Sequence, residues 1–386
     1  MSDTQNLVLE IHGLKTNFYT YEGVVKALDG VELFLHRGDT MGLVGETGCG
    51  KSVTARSILR LVEPPGRIEE GQILFHQIDS DTGEIETVDI LQMSDQEVLE
   101  TRGGKIAIVF QDPATYPNPV FKVGEQIAEV VLLHQDLKKD ALDLKIEQLE
   151  NTLNENIDPE KQASIEEKIS YYKSLYENPP DPDEKDAKAA ALRRAINMLS
   201  MVKMPAAASV ANQYPHELSG GMRQRALIAM ALACNPQILI CDEATTALDV
   251  TVQAQVLNLL NQLKKKIGTS IMIITHDMGV VAETCNWVNV MYAGTSVESC
   301  ATDELFRTPL HPYTSGLLTA VPKLHENTER LPQIRGSVPN LITPPSGCRF
   351  HPRCDYATEI CSQEKPMLEQ KRPHHWVACH NPLKGD

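Results

Sequence analysis

Two stretches of this chain carry residues whose types and spacing suit phosphate chemistry. The first, Gly45-Glu-Thr-Gly-Cys-Gly50-Lys51-Ser52, fits G-x-x-x-x-G-K-[ST] at every fixed position, with an apolar run before it and a helical stretch after it. Glycines let the backbone curl until consecutive N–H groups face one anion, and the following helix adds the positive end of its dipole. Lys51 then reaches a nucleotide's β- and γ-phosphates, and the Ser52 hydroxyl can ligate Mg²⁺. The nucleotide-contacting set is therefore Gly45, Glu46, Thr47, Gly48, Cys49, Gly50, Lys51, Ser52 and Val53. The second stretch, Ile238-Leu-Ile-Cys-Asp242-Glu243, is an apolar strand ending in two carboxylates. Asp242 is placed to hold Mg²⁺ through water, and Glu243 to polarise a water for in-line attack on the γ-phosphate. Cys49 lies near a helix N-terminus and a lysine, so its thiol pKa is expected to be lowered. Alkylation there should inactivate the protein, with bound nucleotide protecting it.

These groups need a sheet that presents them together. LVLEIHGL and VELFLHRG alternate like strands, and TMGLVGETGCGKS passes from a buried strand through a glycine loop into a helix. QILICDE and SIMIITHD are short apolar strands, each followed by a helical stretch, which predicts a parallel α/β sheet. Glu125 to Ser219 contains no glycine and should be mostly helical. Residues 136–188 carry 15 acidic and 8 basic side chains, a net of −7. Leu142, Leu149 and Leu153, then Ile165, Ile169, Tyr172 and Tyr176, recur at helical spacing with Asp158-Pro159 between the runs. This predicts a charged two-helix hairpin with a narrow apolar seam, either a docking arm or a tolerated surface insertion. NPPDPDEKD then reads as a linker. Beyond Pro309 prolines recur, and four cysteines fall in the last 39 residues, which predicts a separate C-terminal module.

Length and charge narrow the function. With 386 residues the chain has room for two or three compact units. Its 36 basic and 52 acidic residues leave −16, so a broad electrostatic grip on nucleic acid is not expected. No stretch approaches the roughly 20 apolar residues that span a bilayer. MSDTQNLVLEIHG lacks the plan of a signal peptide, and nine cysteines without an export signal argue for a reducing compartment. A soluble protein on the cytoplasmic side is expected.

Leu218-Ser219-Gly220-Gly221-Met222-Arg223-Gln224, about 18 residues before the carboxylate strand, resembles the signature motif of ATP-binding-cassette (ABC) ATPases. Gln111 in VFQDP matches that family's Q-loop, Thr246-Ala-Leu-Asp249 its D-loop and His276 in ITHD its switch histidine. The resemblance implies a P-loop NTPase cassette over residues 1–310, with a RecA-like core and an N-terminal antiparallel β subdomain. A helical subdomain would span about 112–220 and contain the 136–188 hairpin. It implies ATP and Mg²⁺ as cofactors, Glu243, His276 and Gln111 as catalytic residues, and Ser52, Gln111 and Asp242 around Mg²⁺. Ser219, Gly220, Gly221 and Gln224 would face ATP bound on a second cassette, with Asp249 in the D-loop. An aromatic should stack on adenine; Phe18, Tyr19 and Tyr21 are candidates, and spacing favours Tyr21, with a packed core aromatic as the alternative. Residue 244 is Ala where the family usually has Pro.

Residues 311–386 resemble the C-terminal extension of the oligopeptide/dipeptide importer subfamily, through His311-Pro-Tyr-Thr, Pro344-Pro-Ser-Gly-Cys348-Arg-Phe-His-Pro-Arg353-Cys354 and Val377-Ala-Cys379-His380. Cys348, Cys354, Cys361 and Cys379 form a C-x5-C-x6-C-x17-C set in a segment able to bury little core, so a staple is needed. Zinc, an iron–sulfur cluster and free thiols all stay open on the residues alone, with His351 and His380 as alternative ligands. The resemblance implies a structural [4Fe–4S] cluster. It also implies an ATPase subunit for peptide uptake at the cytoplasmic face of the membrane. Its partners would be a second, homologous cassette, two permeases and an extracytoplasmic binding protein. Importers of oligosaccharide or nickel share these features. A soluble ATPase acting in translation or DNA repair is the reading from a different class, and the single cassette and acidic charge argue against it.

Overall fold

The computed structural model describes residues 6–79, 82–112, 115–154, 158–244, 249–320 and 334–384. The chain divides into two units, Met1–Gln111 with Gln237–Asp386, and Asp112–Pro236. The C-terminal segment expected to stand apart thus belongs to the first unit. Strands β1 (Leu7–Thr20), β2 (Gly23–His36), β3 (Thr40–Val44), β4 (Gly66–Ile78), β5 (Ile85–Asp89) and β6 (Ile106–Val109) precede the second unit. Strands β7 (Ile238–Asp242), β8 (Ser270–Thr275), β9 (Trp287–Tyr292), β10 (Thr295–Ala301), β11 (Glu369–Arg372) and β12 (His375–Val377) follow it.

Among the described residues these strands make two sheets. One has the order β2-β1-β4-β5 and is antiparallel throughout. Val31, Leu33 and Leu35 on β2 alternate inward as expected, whereas β1 opens with Leu7, Val8 and Leu9 all buried before Ile11. The other has the order β11-β12-β10-β9-β3-β8-β7-β6, parallel from β9 to β6 and antiparallel beyond. Every residue of β3, β7 and β8 is buried, as a parallel sheet covered on both faces requires. The two sheets share one core, in which Leu33, Leu35, Met41, Leu43, Ile58, Phe75, Ile240 and Ile274 pack. Because β3, β8, β7 and β6 are parallel neighbours, their carboxyl ends lie along one edge. The phosphate loop follows β3, His276 follows β8, Asp242 ends β7 with Glu243 next after it, and Gln111 follows β6. That edge is where open α/β sheets bind ligands.

The second unit is helical, with helices Val123–His134, Lys138–Leu153, Pro159–Ser174, Glu184–Met201, Ala207–Val210 and Gly220–Leu232. The predicted hairpin is the second and third of these. Asp158 accepts from the Glu160 N–H and Pro159 opens the third helix, an N-terminal signal at work. The seam is as narrow as the pattern implied, with Leu142, Ile146 and Ile169 buried. Arg194 grips Asp140 with two bonds (2.7 and 2.6 Å), and Arg193 reaches Glu147 at 3.0 Å, so charges tie the hairpin to Glu184–Met201. No helix among the described residues is long and apolar enough to cross a membrane.

Candidate active site

The phosphate loop takes its shape from glycine. Gly45 has φ +150°, and a Cβ there would meet the Met291 carbonyl oxygen at 2.2 Å. Gly50, at φ +101°, begins helix Lys51–Ile58 without any side-chain cap, so the first N–H groups are left for an anion. The Lys51 ammonium lies inside the loop and donates to the carbonyls of Gly45 (2.7 Å) and Glu46 (3.1 Å).

Beside it, the Ser52 hydroxyl donates to Asp242 Oδ1 at 3.0 Å. Burial pushes the Asp242 carboxyl up, with Glu243 adding to the effect and Ser52, Arg56 and Lys51 opposing it. A hydroxyl and a charge-starved carboxylate are the hard oxygen donors that suit Mg²⁺. The Gln111 amide donates to Glu243 Oε2 at 2.8 Å, and His276 Nδ1 lies 3.5 Å from Glu243 Oε1. Glu243 thus stands between an amide and an imidazole, next to the Ser52–Asp242 pair. Its backbone has φ +48°, a strained setting for a residue with a Cβ, while its N–H is held by the Ile274 carbonyl at 3.0 Å. Ala244 spares Glu243 the restriction that a following proline imposes.

The remaining residues divide. Tyr21, at the turn between β1 and β2, is 98% exposed, which leaves its ring free and removes it from the core. Ser219 caps helix Gly220–Leu232 by accepting from the Met222 N–H (3.4 Å), with Gly220 and Gly221 in the first turn. Gln224, in the second turn of the same helix, is fully buried. Asp249 caps helix Val250–Ile267 through the Val252 N–H (2.9 Å), and Thr246, Ala247 and Leu248 lie outside the described residues.

Cys49 is a correction. Its side chain is fully buried beneath the loop, and burial pushes the thiol up despite Lys51 Nζ at 3.7 Å. Desolvation outweighs the nearby charge. The folded protein should therefore leave Cys49 unmodified by iodoacetamide at pH 7.5 over a time that fully labels it in urea, as read by peptide mass mapping. Rapid labelling of the native chain, blocked by ATP, would restore the original expectation.

The four C-terminal cysteines are gathered by the fold. The Cys348 N–H donates to the Cys361 carbonyl (2.8 Å), and the charges of Cys348, Cys354 and Cys361 all act on Cys379. Backbone N–H groups of Phe350 and His351 point at Cys348, that of Tyr356 at Cys354 and that of Asn381 at Cys379. Burial pushes Cys379 up to about 12, opposed by the Asn381 N–H and reinforced by the other three cysteines. His351 Nδ1 sits on the Cys348 carbonyl (2.9 Å) and His380 Nε2 on that of Glu364 (2.9 Å), so both rings are already engaged.

Sequence reading missed one polar centre entirely. Glu298, on β10, is fully buried; its carboxylate accepts from the N–H groups of Leu310 (2.6 Å) and His311 (2.9 Å) and contacts His375 Nε2 at 2.7 Å. Nothing local marks these residues, which lie 77 apart and meet only when β12 pairs with β10.

A family model described as "ABC transporter" matches residues 28–246, over half the chain. The chain belongs to the ABC transporter ATPase family. A second model, the oligopeptide/dipeptide transporter C-terminal region, matches residues 297–361. The oligopeptide transport ATP-binding protein OppD of Bacillus subtilis is 42% identical over 372 residues, covering 96% of this chain and 87% of that protein. The dipeptide transport ATP-binding protein DppD of the same organism is 38% identical, covering 98% of each chain. Among solved structures, dimeric MJ0796, a bacterial ABC transporter cassette, superposes with TM-score 0.53 at 21% identity over 76% of this chain and 98% of that one. That likeness shows the cassette fold. As a member of this family the chain is an ATPase.

Proposed function

We propose that this ABC ATPase powers the import of peptides, with Glu243 as the general base. The observation that carries the mechanism is the placing of Glu243 between Gln111 (2.8 Å) and His276 (3.5 Å), one residue from the Asp242 that pairs with Ser52. Tyr21 would stack on adenine, the loop N–H groups and Lys51 would hold the phosphates, and Glu243 would take the proton of the attacking water. His276 and Gln111 orient that water and the γ-phosphate. Ser52 and Asp242 would hold Mg²⁺, which when bound offsets phosphate charge. Ser219, Gly220 and Gly221 present an open helix end that suits the γ-phosphate held by a partner cassette, so each site is built from two chains.

The near-full-length likeness to oligopeptide and dipeptide transport ATP-binding proteins supports peptide as the cargo and implies permease partners. We infer a second homologous cassette, two permeases and an extracytoplasmic binding protein, with this chain on the cytoplasmic face of the membrane. Residues 1–310 would form the cassette and 311–386 its importer-type extension. A mild-detergent pull-down of the tagged chain from native membranes, read by mass spectrometry, should recover those proteins. Recovery of ribosomes or nucleic-acid enzymes without permeases would overturn the transport reading.

We also propose a [4Fe–4S] cluster on Cys348, Cys354, Cys361 and Cys379, acting as a structural tie. The support is four thiols in electrostatic reach of one another with backbone N–H donors at three of them. Anaerobically prepared protein should be brown and contain iron with acid-labile sulfide. Stoichiometric zinc without sulfide would replace the cluster by a single ion.

A further inference from the structure

The phosphate loop of this chain carries an acidic residue at its second position. Glu46 belongs to the loop expected to hold the phosphates, and an unbalanced carboxylate on that loop would repel them. The structure supplies the balance from a point 307 residues further on: Arg353 donates through Nη1 to Glu46 Oε2 (2.6 Å) and through Nη2 to Oε1 (3.0 Å), a two-pronged ion pair. Only 6% of the Arg353 side chain is exposed. Its Nε is fixed on the Arg335 carbonyl (2.7 Å), and its guanidinium lies 5.6 Å from the centre of the Tyr292 ring and 6.0 Å from that of Phe350. So held, it loses little further freedom in binding Glu46. The same loop residue donates its N–H to the Tyr313 hydroxyl (2.9 Å), and Tyr313 packs 4.7 Å from Tyr292, centre to centre.

A second arginine braces the loop from below. Arg349 donates to the Ala293 carbonyl and to Asp29 Oδ2 (3.1 Å), and the next residue, Gly294, donates its N–H to the Cys49 carbonyl (2.8 Å) inside the phosphate loop. Both arginines belong to the turn bracketed by Cys348 and Cys354.

We propose that Arg353 is a positioning residue for nucleotide binding, which neutralises Glu46 and couples the phosphate loop to the Cys348–Cys354 turn. It touches no substrate; it acts through Glu46. Coupling of this kind is reciprocal, so nucleotide should also steady the turn. The inference rests on ATP occupying this loop but not on what fills the cysteine site.

The test is equilibrium binding of a fluorescent, non-hydrolysable ATP analogue with Mg²⁺ to the full chain. Lys51→Ala serves as the control that must lose binding. Arg353→Gln should weaken binding about ten-fold, and less at 0.5 M salt, because it bares the Glu46 charge. Glu46→Gln/Arg353→Gln should bind several-fold more tightly than Arg353→Gln and match Glu46→Gln, because without the carboxylate there is no bared charge for the arginine to offset. Rescue by removing a second residue is something a purely structural arginine would not show. Hydrogen exchange over residues 345–361 should slow on nucleotide binding in wild type and respond less in Arg353→Gln. Wild-type affinity in Arg353→Gln, or a double variant no tighter than Arg353→Gln, overturns the proposal. Should Arg353→Gln fail to fold, the exchanged pair Glu46→Arg/Arg353→Glu decides: binding above that of Glu46→Arg supports the coupling, and binding no better refutes it. Failure of wild type itself to bind the analogue would instead strike at the nucleotide site.

Discussion

Glu243→Gln should bind Mg–ATP with nearly the wild-type dissociation constant and hydrolyse it at least about 100-fold more slowly. Glutamine keeps an oxygen where the Gln111 amide now donates and keeps the side-chain length, so the contacts at 2.8 and 3.5 Å can be nearly preserved. What it loses is the capacity to accept a proton from water, which only the chemical step uses. None of the groups expected to hold the phosphates, the Gly45–Ser52 loop and Lys51, changes. Single-turnover phosphate release beside a binding titration separates the two quantities. Because hydrolysis is what would reopen a pair of cassettes, the variant should also accumulate as an ATP-dependent dimer on a sizing column. Turnover within about ten-fold of wild type would remove Glu243 from the role of base and leave His276 as the group to examine. By contrast, His276→Ala should lower turnover while leaving Glu243 its Gln111 contact.

The residues of that experiment were readable from the sequence for a physical reason. Backbone does the work in a phosphate loop, so its demands appear as glycines at fixed spacing, and strand ends must be short, apolar and followed by the reacting side chain. β3, β7 and β8 show that pattern without interruption. The error arose where side-chain burial decides. Cys49 has a lysine two residues away, and proximity suggested a reactive thiol; its position under the loop, invisible locally, reverses the sign. The contacts that join the C-terminal segment to the cassette, Arg353 to Glu46 and His375 to Glu298, span 307 and 77 residues. No spacing rule reports such pairs, because the fold must exist before the partners meet.

Removing the Glu298 carboxylate should be among the most damaging single changes outside the site. Glu298→Ala leaves the N–H groups of Leu310 and His311 and the ring of His375 without their acceptor in a fully buried place. Breaking a buried charged network by deleting one member costs about 3–5 kcal/mol, and chemical denaturation at pH 7 should show a loss of that size. His375→Ala should cost less, since the carboxylate keeps both backbone donors. β12 has only three residues, and Cys379 follows it two positions later, so either change should also loosen the cysteine segment. Burial adds a pH dependence. It holds His311 down at about 4, with Glu298 opposing. Between pH 6.5 and 4 the unfolded chain therefore binds a proton that the folded chain refuses. Stability is full above pH 6.5 and falls as pH drops through that window, by on the order of 3 kcal/mol from this one group. A His311→Gln variant that folds should lose that part of the acid sensitivity. A denaturation midpoint as steep in pH as the wild type's would mean that other groups set it.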